Sequence, residues 1–192
     1  ILLSTGASNL SEIDNAVKFL KSNGNKKICI MHCTLCYPTK IKDANLSAVI
    51  DLKKKFKDNL IGLSDHSLGI DVAATSVALG VRAIEKHFTV DKKLKKSADH
   101  WLSIDPEELK NLEKRVKVTM NSMGSGGKKI LRCEQKTRSL ARRSLVIREN
   151  LIKGTILNDK NLTCKRPGNG LPPKLFFSLL GKKINKNLPK DH

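Results

Sequence analysis

The chain has 192 residues, of which 39% are hydrophobic and 29% are charged, and this composition is ordinary for a globular protein of one or two domains. No apolar run approaches the roughly 20 residues that a helix needs to cross a bilayer, which argues against a membrane protein or a membrane partner. The five cysteines form an odd count without disulfide-framework spacing, so we expect a reducing, cytoplasmic location.

The net charge of +19 is unevenly distributed, because residues 124–192 carry 17 lysines and arginines against 4 acidic residues. Such a basic segment is compatible with a nucleic-acid-binding module, which we keep as the alternative from another functional class. However, aromatic residues make up only 4% of the chain and do not alternate with the lysines. We therefore predict no nucleic-acid partner.

In the first two thirds of the chain, a short apolar run is followed by a stretch whose apolar residues recur at helical spacing. This unit occurs four times, at intervals of roughly 25 to 30 residues. The pattern predicts strands over residues 1–3, 27–31, 61–63 and 81–84, each followed by a helix. Ser11 is the expected start of the first helix, and Asp105 with Pro106 and Glu108 predicts an N-cap, a proline in the first turn and a capping box for the last.

Two of the predicted strands end in polar clusters that contain a histidine. Ser64, Asp65 and His66 follow one strand, and Glu85, Lys86 and His87 follow the next. A crossover helix makes such strands parallel, so His66 and His87 are expected side by side at the rim where barrel active sites are built. Two imidazoles with Glu85 and Asp65 nearby could form half of a divalent-metal site. Hydrogen-bonded structural histidines are the alternative interpretation.

Residues 124–127 read Gly-Ser-Gly-Gly and predict a linker, because the frame of a phosphate-binding loop is absent around them. After them the sequence changes to short segments, over residues 144–147 and 155–157, separated by turn residues. This texture predicts a small second domain with little regular structure. Four strand and helix units cannot close a barrel of eight, so we expect them to pair with another copy or with residues that precede Ile1.

Several short motifs occur in the order and at the intervals of one enzyme family. They are LSTG at 3–6, HCT at 32–34, YP at 37–38, GLSDH at 62–66, EKHFT at 85–89, SADH at 97–100, RSL at 143–145 and KRPGNG at 165–170. With these motifs the chain resembles the sialic acid (N-acetylneuraminate) synthase family, which includes legionaminic and pseudaminic acid synthases. The similarity extends over essentially the whole chain.

The resemblance implies an α/β fold made of the C-terminal half of a TIM (β/α)8 barrel, strands five to eight, followed by an antifreeze-like SAF (β-clip) domain. The implied bounds are 1–123 for the partial catalytic barrel, 124–137 for a linker and 138–192 for the SAF domain. It also implies a transferase that condenses phosphoenolpyruvate with an N-acyl hexosamine, N-acetylmannosamine or its 6-phosphate. The products are a nine-carbon 2-keto sugar acid and phosphate, and the cofactor is Mn²⁺ or Mg²⁺.

The resemblance also implies a role for individual residues. In it the metal ligands are His66 and His87, the catalytic residues are Glu85 and His87, and the substrate-binding residues are Ser64 for phosphoenolpyruvate and Tyr37, Asp99 and Arg166 for the sugar. Arg166 would act across a domain-swapped homodimer. The simpler alternatives are a salt bridge of Glu85 to a nearby lysine, charge balance for Asp99 and a solvated loop position for Arg166.

The sequence departs from the family pattern in two ways. Leu35 occupies a position that is usually small and polar and that contacts phosphoenolpyruvate. The four strands that would precede those found here are absent, and in the family they supply lysines and a glutamate to the site. The resemblance therefore implies that this chain alone is inactive.

Overall fold

The computed structural model describes residues 1–95 and 98–192, which divide into two units, Ile1–Gly126 and Gly127–His192. Ser97, the first residue of one family motif, lies outside the described residues. In the described part of the chain, no helix is both long and apolar enough to cross a membrane.

The first unit is built on a parallel sheet of four strands in the order β1-β2-β3-β4. The strands are β1 Leu2–Ser4, β2 Cys29–Cys33, β3 Leu60–Asp65 and β4 Ile84–Lys86. The helices are α1 Leu10–Ser22, α2 Ala48–Lys55, α3 Asp71–Ser76 and α4 Pro106–Met123. Each of the first three helices joins two neighbouring parallel strands, which gives an α/β fold with a curled half-barrel sheet.

Both long helices begin at a capping box, but one start differs from our expectation. The side chain of Asn9 accepts hydrogen bonds from the backbone N–H groups of Ser11 and Glu12, so the prediction that Ser11 starts α1 is wrong. Asn9 is the N-cap residue because its own backbone N–H donates a hydrogen bond to the Glu12 side chain, which completes the capping box. At α4 the predicted capping box of Asp105 and Glu108 is confirmed.

Side chains on alternate positions of the strands face opposite layers. Ile30, Ile61 and Leu63 pack against the helices in the main core. Met31 takes the other face and lies directly over Gly62, its partner on β3. A Cβ on Gly62 would stand 2.2 Å from the Met31 sulfur, so any larger residue there would force the buried Met31 side chain to move.

The second unit has a separate apolar core and an antiparallel pair of strands, β5 Ser144–Ile147 and β6 Leu162–Lys165. Its helices are α5 Gln135–Ala141 and α6 Phe176–Leu179. Of the two segments that the sequence indicated, the first is β5, whereas within 155–157 only Ile156 forms an isolated bridge, to Lys183. The apolar pattern of the sequence did not indicate β6, because this strand alternates only weakly between buried and exposed residues.

Candidate functional site

Three rings converge at the carboxyl ends of β2, β3 and β4. His66 directly follows β3 and His87 directly follows β4, and the strand register pairs the residues before them, Asp65 with Lys86. The two imidazole centroids are 5.3 Å apart at an interplanar angle of 68°. The ring of Tyr37 lies 4.2 Å from that of His66 and 5.6 Å from that of His87. The topology therefore brings these three predicted site residues together.

The imidazole of His66 is oriented by a backbone carbonyl. Its Nδ1 lies 3.1 Å from the Thr34 carbonyl oxygen and 3.8 Å from the Cys33 sulfur. A carbonyl oxygen only accepts hydrogen bonds, so Nδ1 carries the proton and Nε2 of the neutral ring keeps its lone pair. Among the described residues, none hydrogen-bonds to this Nε2. Metal-binding histidines are typically held in this way, by a hydrogen bond from the nitrogen that is not the ligand.

His87 faces a carboxylate. Its Nδ1 is 3.7 Å from Oδ2 of Asp99, which is too long for a hydrogen bond but close enough for electrostatic attraction to a protonated ring. The two side chains are about a third to two fifths exposed, at 30% and 43%. Asp99 is therefore accessible to a ligand that approaches the pair of imidazoles.

Hydrogen bonds among the described residues close the loop that carries Asp99 near His87. The backbone N–H of Ile104 donates to the carbonyl of His87, and the backbone N–H of Thr89 donates to the carbonyl of Ile104, both at 2.9 Å. The Thr89 hydroxyl lies 2.9 Å from Nδ1 of His100 and 3.0 Å from the carbonyl oxygen of Asp91. Because its single proton goes to Asp91, the hydroxyl accepts the hydrogen bond from His100.

Ser64 and Glu85 form a second cross-strand pair beside the imidazoles. The hydroxyl of Ser64 donates to Oε1 of Glu85 at 2.8 Å, and the two residues are partners in the β3–β4 register. Ser64 is buried and Glu85 is exposed. Lys86, the nearest lysine in sequence, is bound to Asp65 instead of Glu85, at a distance of 2.8 Å.

Asp65 was expected close to the imidazoles as part of a metal site, and the structure places it differently. Its two carboxylate oxygens accept hydrogen bonds from the Ser67 backbone N–H and from Lys86 Nζ, each at 2.8 Å. Since consecutive strand residues face opposite sides, Asp65 projects away from the face of Ser64. Asp65 is therefore not available as a ligand beside His66.

The surroundings of Tyr37, which is 47% exposed, favour the neutral form of its phenol. Desolvation by burial, followed by the negative charges that Cys33, Asp99 and Glu85 can carry, raises the pKa of Tyr37 above its ordinary value. A neutral phenol retains its O–H proton at physiological pH. Tyr37 can therefore donate a hydrogen bond to a ligand in front of the imidazoles.

Arg166 lies in the second unit, where it follows β6 and is exposed. Ser144 fixes the loop that follows Arg166: the Ser144 hydroxyl donates to the Pro167 carbonyl at 2.9 Å and accepts from the Gly170 backbone N–H at 2.8 Å.

In the first unit, Leu35 is 58% exposed. A Cβ added to Gly6 would lie 3.3 Å from the Leu35 Cβ, so Leu35 covers the turn after β1.

The donor set fits a divalent cation with open coordination positions. No group of three or more histidine, cysteine, aspartate or glutamate side chains among residues 1–95 and 98–192 is arranged to hold a metal ion. Two imidazoles would thus leave most positions to water or substrate. Mg²⁺ prefers oxygen ligands, so the nitrogen donors favour Mn²⁺ of the two expected ions.

The sequence did not indicate that Thr34, Thr89 and His100 make contacts around the candidate site. All three belong to the motifs quoted above, but their roles depend on a carbonyl orientation and on a loop closure. The loop closure had an indication in the sequence, because His100 directly follows Asp99 and so belongs to the same loop.

Comparison with known proteins gives a consistent result for both units. Residues 1–128 match the NeuB family and residues 142–192 match the SAF domain. The chain is 42% identical to the N,N'-diacetyllegionaminic acid synthase of Campylobacter jejuni over 100% of its own length and 57% of the relative. It is 33% identical to the human N-acetylneuraminate-9-phosphate synthase over 100% of its length and 53% of the relative. The chain thus spans about half the length of these curated relatives.

Solved structures of related proteins also align with this chain. The N-acetylneuraminic acid synthetase of Leptospira borgpetersenii, crystallised with citrate, aligns with a TM-score of 0.64 and 38% identity over 71% of this chain and 47% of the other. A spore coat polysaccharide biosynthesis protein of Bacillus subtilis aligns with a TM-score of 0.61 and 31% identity over 99% of this chain and 58% of the other. The expected resemblance is confirmed, and the chain belongs to the NeuB family.

Proposed function

We propose that the chain is the C-terminal half of the TIM barrel, strands five to eight, and the SAF domain of a synthase that condenses phosphoenolpyruvate with an N-acyl hexosamine. The sugar is N-acetylmannosamine or its 6-phosphate, and the products are a nine-carbon 2-keto sugar acid and phosphate. The observation that carries this proposal is the pair of imidazoles, 5.3 Å apart, at the carboxyl ends of adjacent parallel strands. In such barrels the carboxyl ends of the strands form the catalytic face.

His66 and His87 are the residues that would hold Mn²⁺ or Mg²⁺. A divalent cation bound there supplies Lewis acidity to the aldehyde oxygen of the open-chain sugar. The hydrogen bond from His66 Nδ1 to the Thr34 carbonyl fixes the ring and leaves Nε2 as the nitrogen that would bind the cation.

In the proposed reaction, C3 of phosphoenolpyruvate forms a bond to the aldehyde carbon, water adds at C2, and the C2–O bond breaks to release phosphate. Glu85, oriented by Ser64, accepts a hydrogen bond from water or substrate beside the cation. The Ser64 proton is committed to Glu85, so the serine hydroxyl offers phosphoenolpyruvate a contact only when that bond is exchanged.

Tyr37 and Asp99 would bind the sugar with complementary hydrogen-bonding groups, a donor and an acceptor. The neutral Tyr37 phenol donates to a sugar oxygen, while the Asp99 carboxylate accepts from a sugar hydroxyl. Arg166 would add paired donors to the sugar in the partner subunit of a domain-swapped homodimer. The five cysteines are free, which supports a cytoplasmic enzyme.

A related nonulosonate synthase is the second candidate. Its support is the 42% identity to a legionaminic acid synthase, against 33% to the human N-acetylneuraminate-9-phosphate synthase. The two candidates differ in the N-acyl hexosamine that they accept, and share the same pair of histidines.

The test uses this chain joined to the first four strand and helix units of a relative's barrel, so that an eight-stranded barrel can form. Phosphoenolpyruvate is incubated with N-acetylmannosamine, its 6-phosphate and N,N'-diacetylated hexosamines, with Mn²⁺ present, and the products are identified by mass spectrometry. We expect a nine-carbon acid from one sugar, and loss of product in His66→Ala and His87→Ala. His192→Ala removes an exposed histidine of the second unit and serves as the control. Full activity after both site changes refutes the proposal.

A further inference from the structure

We propose that Asp65 and Lys86 form a positioning pair that sets the spacing of the two imidazoles. The proposal rests on the proposed function, because it assigns the pair a role in cation binding at His66 and His87. Neither residue of the pair faces the site itself. Both act through the backbone to which the imidazoles are attached.

The pair is an ion pair removed from water. Lys86 Nζ lies 2.8 Å from Oδ2 of Asp65, and their side chains are only 4% and 2% exposed. Lys86 Nζ also donates to the Ser67 carbonyl at 2.6 Å, while Oδ1 of Asp65 accepts from the Ser67 backbone N–H at 2.8 Å. Buried charges of this kind persist only with such complete pairing.

These contacts clamp the backbone on both sides of His66. Asp65 precedes His66 and Ser67 follows it, and both are bound to Lys86, the residue directly before His87. A single ammonium group thus connects the chain on both sides of one imidazole with the attachment point of the other. The distance between the rings depends on this connection more than on any side-chain contact between them.

The strand pairing alone gives weak control of this geometry. β4 has three residues, and its register with β3 consists of Leu63 with Ile84, Ser64 with Glu85 and Asp65 with Lys86. A slip of one residue would turn His87 to the opposite face of the sheet. The Asp65–Lys86 pair opposes that slip, since a shifted register would leave two buried charges unpaired.

The experiment replaces the pair with apolar residues of similar size, Asp65→Leu with Lys86→Met, in the chain joined to the first half of a relative's barrel. The change also removes the side-chain partners of the Ser67 backbone N–H and carbonyl, so the thermal midpoint should fall, and binding is measured at a temperature at which the variant is fully folded. We expect the Mn²⁺ dissociation constant, measured from free Mn²⁺ by electron paramagnetic resonance, to rise at least about tenfold, as for other groups that orient ligands. The control, Glu113→Leu with Lys117→Met, removes an exposed pair on α4 and should leave both quantities unchanged.

Unchanged Mn²⁺ affinity in a folded double variant overturns the inference. If the double variant does not fold, Asp65→Asn is measured instead, because it keeps an acceptor for the Ser67 N–H and replaces the ion pair by a contact between Lys86 and a neutral amide. It should also weaken Mn²⁺ binding about tenfold in the folded fraction, and normal binding there overturns the inference. Failure of the proposed function has a different signature: the unmodified protein binds no Mn²⁺ that depends on His66 and His87.

Discussion

The Ser64 hydroxyl donates a 2.8 Å hydrogen bond to Oε1 of Glu85 across β3 and β4, close to the two imidazoles that follow these strands. Ser64 is almost completely buried, whereas Glu85 is exposed. The serine therefore acts as a fixed donor that directs a carboxylate toward the site. This relationship links two residues to which the family resemblance assigns separate roles.

Glu85→Gln should lower kcat by about 100-fold or more if the carboxylate accepts a proton or orders water during the reaction. Ser64→Ala should have a smaller effect of about tenfold, because it removes one hydrogen bond to a charged group and leaves the carboxylate. Steady-state kinetics in the complete enzyme measures both. An equal, mild loss in the two variants would show that Glu85 is only a structural partner of Ser64.

His100→Ala should raise KM for the sugar about twofold to tenfold, which corresponds to the net value of one hydrogen bond. The change releases the Thr89 hydroxyl and loosens the loop that presents Asp99 to His87. KM for phosphoenolpyruvate should remain unchanged. His100→Asn, which retains a donor, is the matched control and should recover part of the loss; a rise in both KM values would indicate general disruption instead.

Leu35→Asn should lower KM for phosphoenolpyruvate by a few-fold, because an amide restores a hydrogen bond where the family usually has a polar residue. Leu35 is 58% exposed, so the substitution removes little buried apolar surface and the thermal midpoint should hold. Leu171→Asn, at a similarly exposed leucine of the second unit, is the control. A higher KM in Leu35→Asn would mean that this chain binds phosphoenolpyruvate without that contact.

Gly62→Ala should lower the free energy of unfolding by about 1–3 kcal/mol through overpacking. The new Cβ would stand 2.2 Å from Sδ and 2.9 Å from Cε of Met31, with the Ala83 carbonyl oxygen at 3.0 Å. Denaturant unfolding measures the change. In a double-mutant cycle with Met31→Ala the two effects should be less than additive, because the smaller side chain relieves the clash. Strict additivity would place the strain elsewhere.

The phenol of Tyr37, the only tyrosine of the chain, should ionise at a higher pH than an unfolded tyrosine. Burial and the surrounding negative charges raise its pKa, so the protonated form persists into more alkaline solution. Absorbance at the phenolate band against pH, in metal-free protein with and without denaturant, gives both midpoints. A folded midpoint equal to or below the unfolded one would contradict the neutral donor role.

The order of strands and helices in the first unit could be predicted from the sequence because each apolar run is followed by an amphipathic helix. The bounds were less accurate. The run at residues 81–84 predicts a strand there, but β4 begins at Ile84 and continues through Glu85 and Lys86. Polar residues extend the strand because Glu85 and Lys86 find partners on β3. Tertiary pairing of this kind is invisible to an apolar pattern.

The position of His66 beside His87 followed from parallel topology, which fixes where neighbouring strands end. The role of Asp65 could not be inferred in the same way. A carboxylate next to a histidine suggests a ligand, yet strand alternation and a lysine on β4 direct Asp65 to the opposite layer. The decisive information was the register, which one sequence does not provide.

The four-stranded sheet ends at β1 and β4, and among the described residues neither outer side of the sheet is paired with a further strand. Unpaired strand edges recruit other strands, and Leu2, 62% exposed on β1, adds an apolar contact to that tendency. Produced alone in quantity, the first unit should therefore aggregate through its edges. Under the proposed assignment of this unit to one half of a barrel, co-expression with the complementary half from a relative should instead yield a soluble complex.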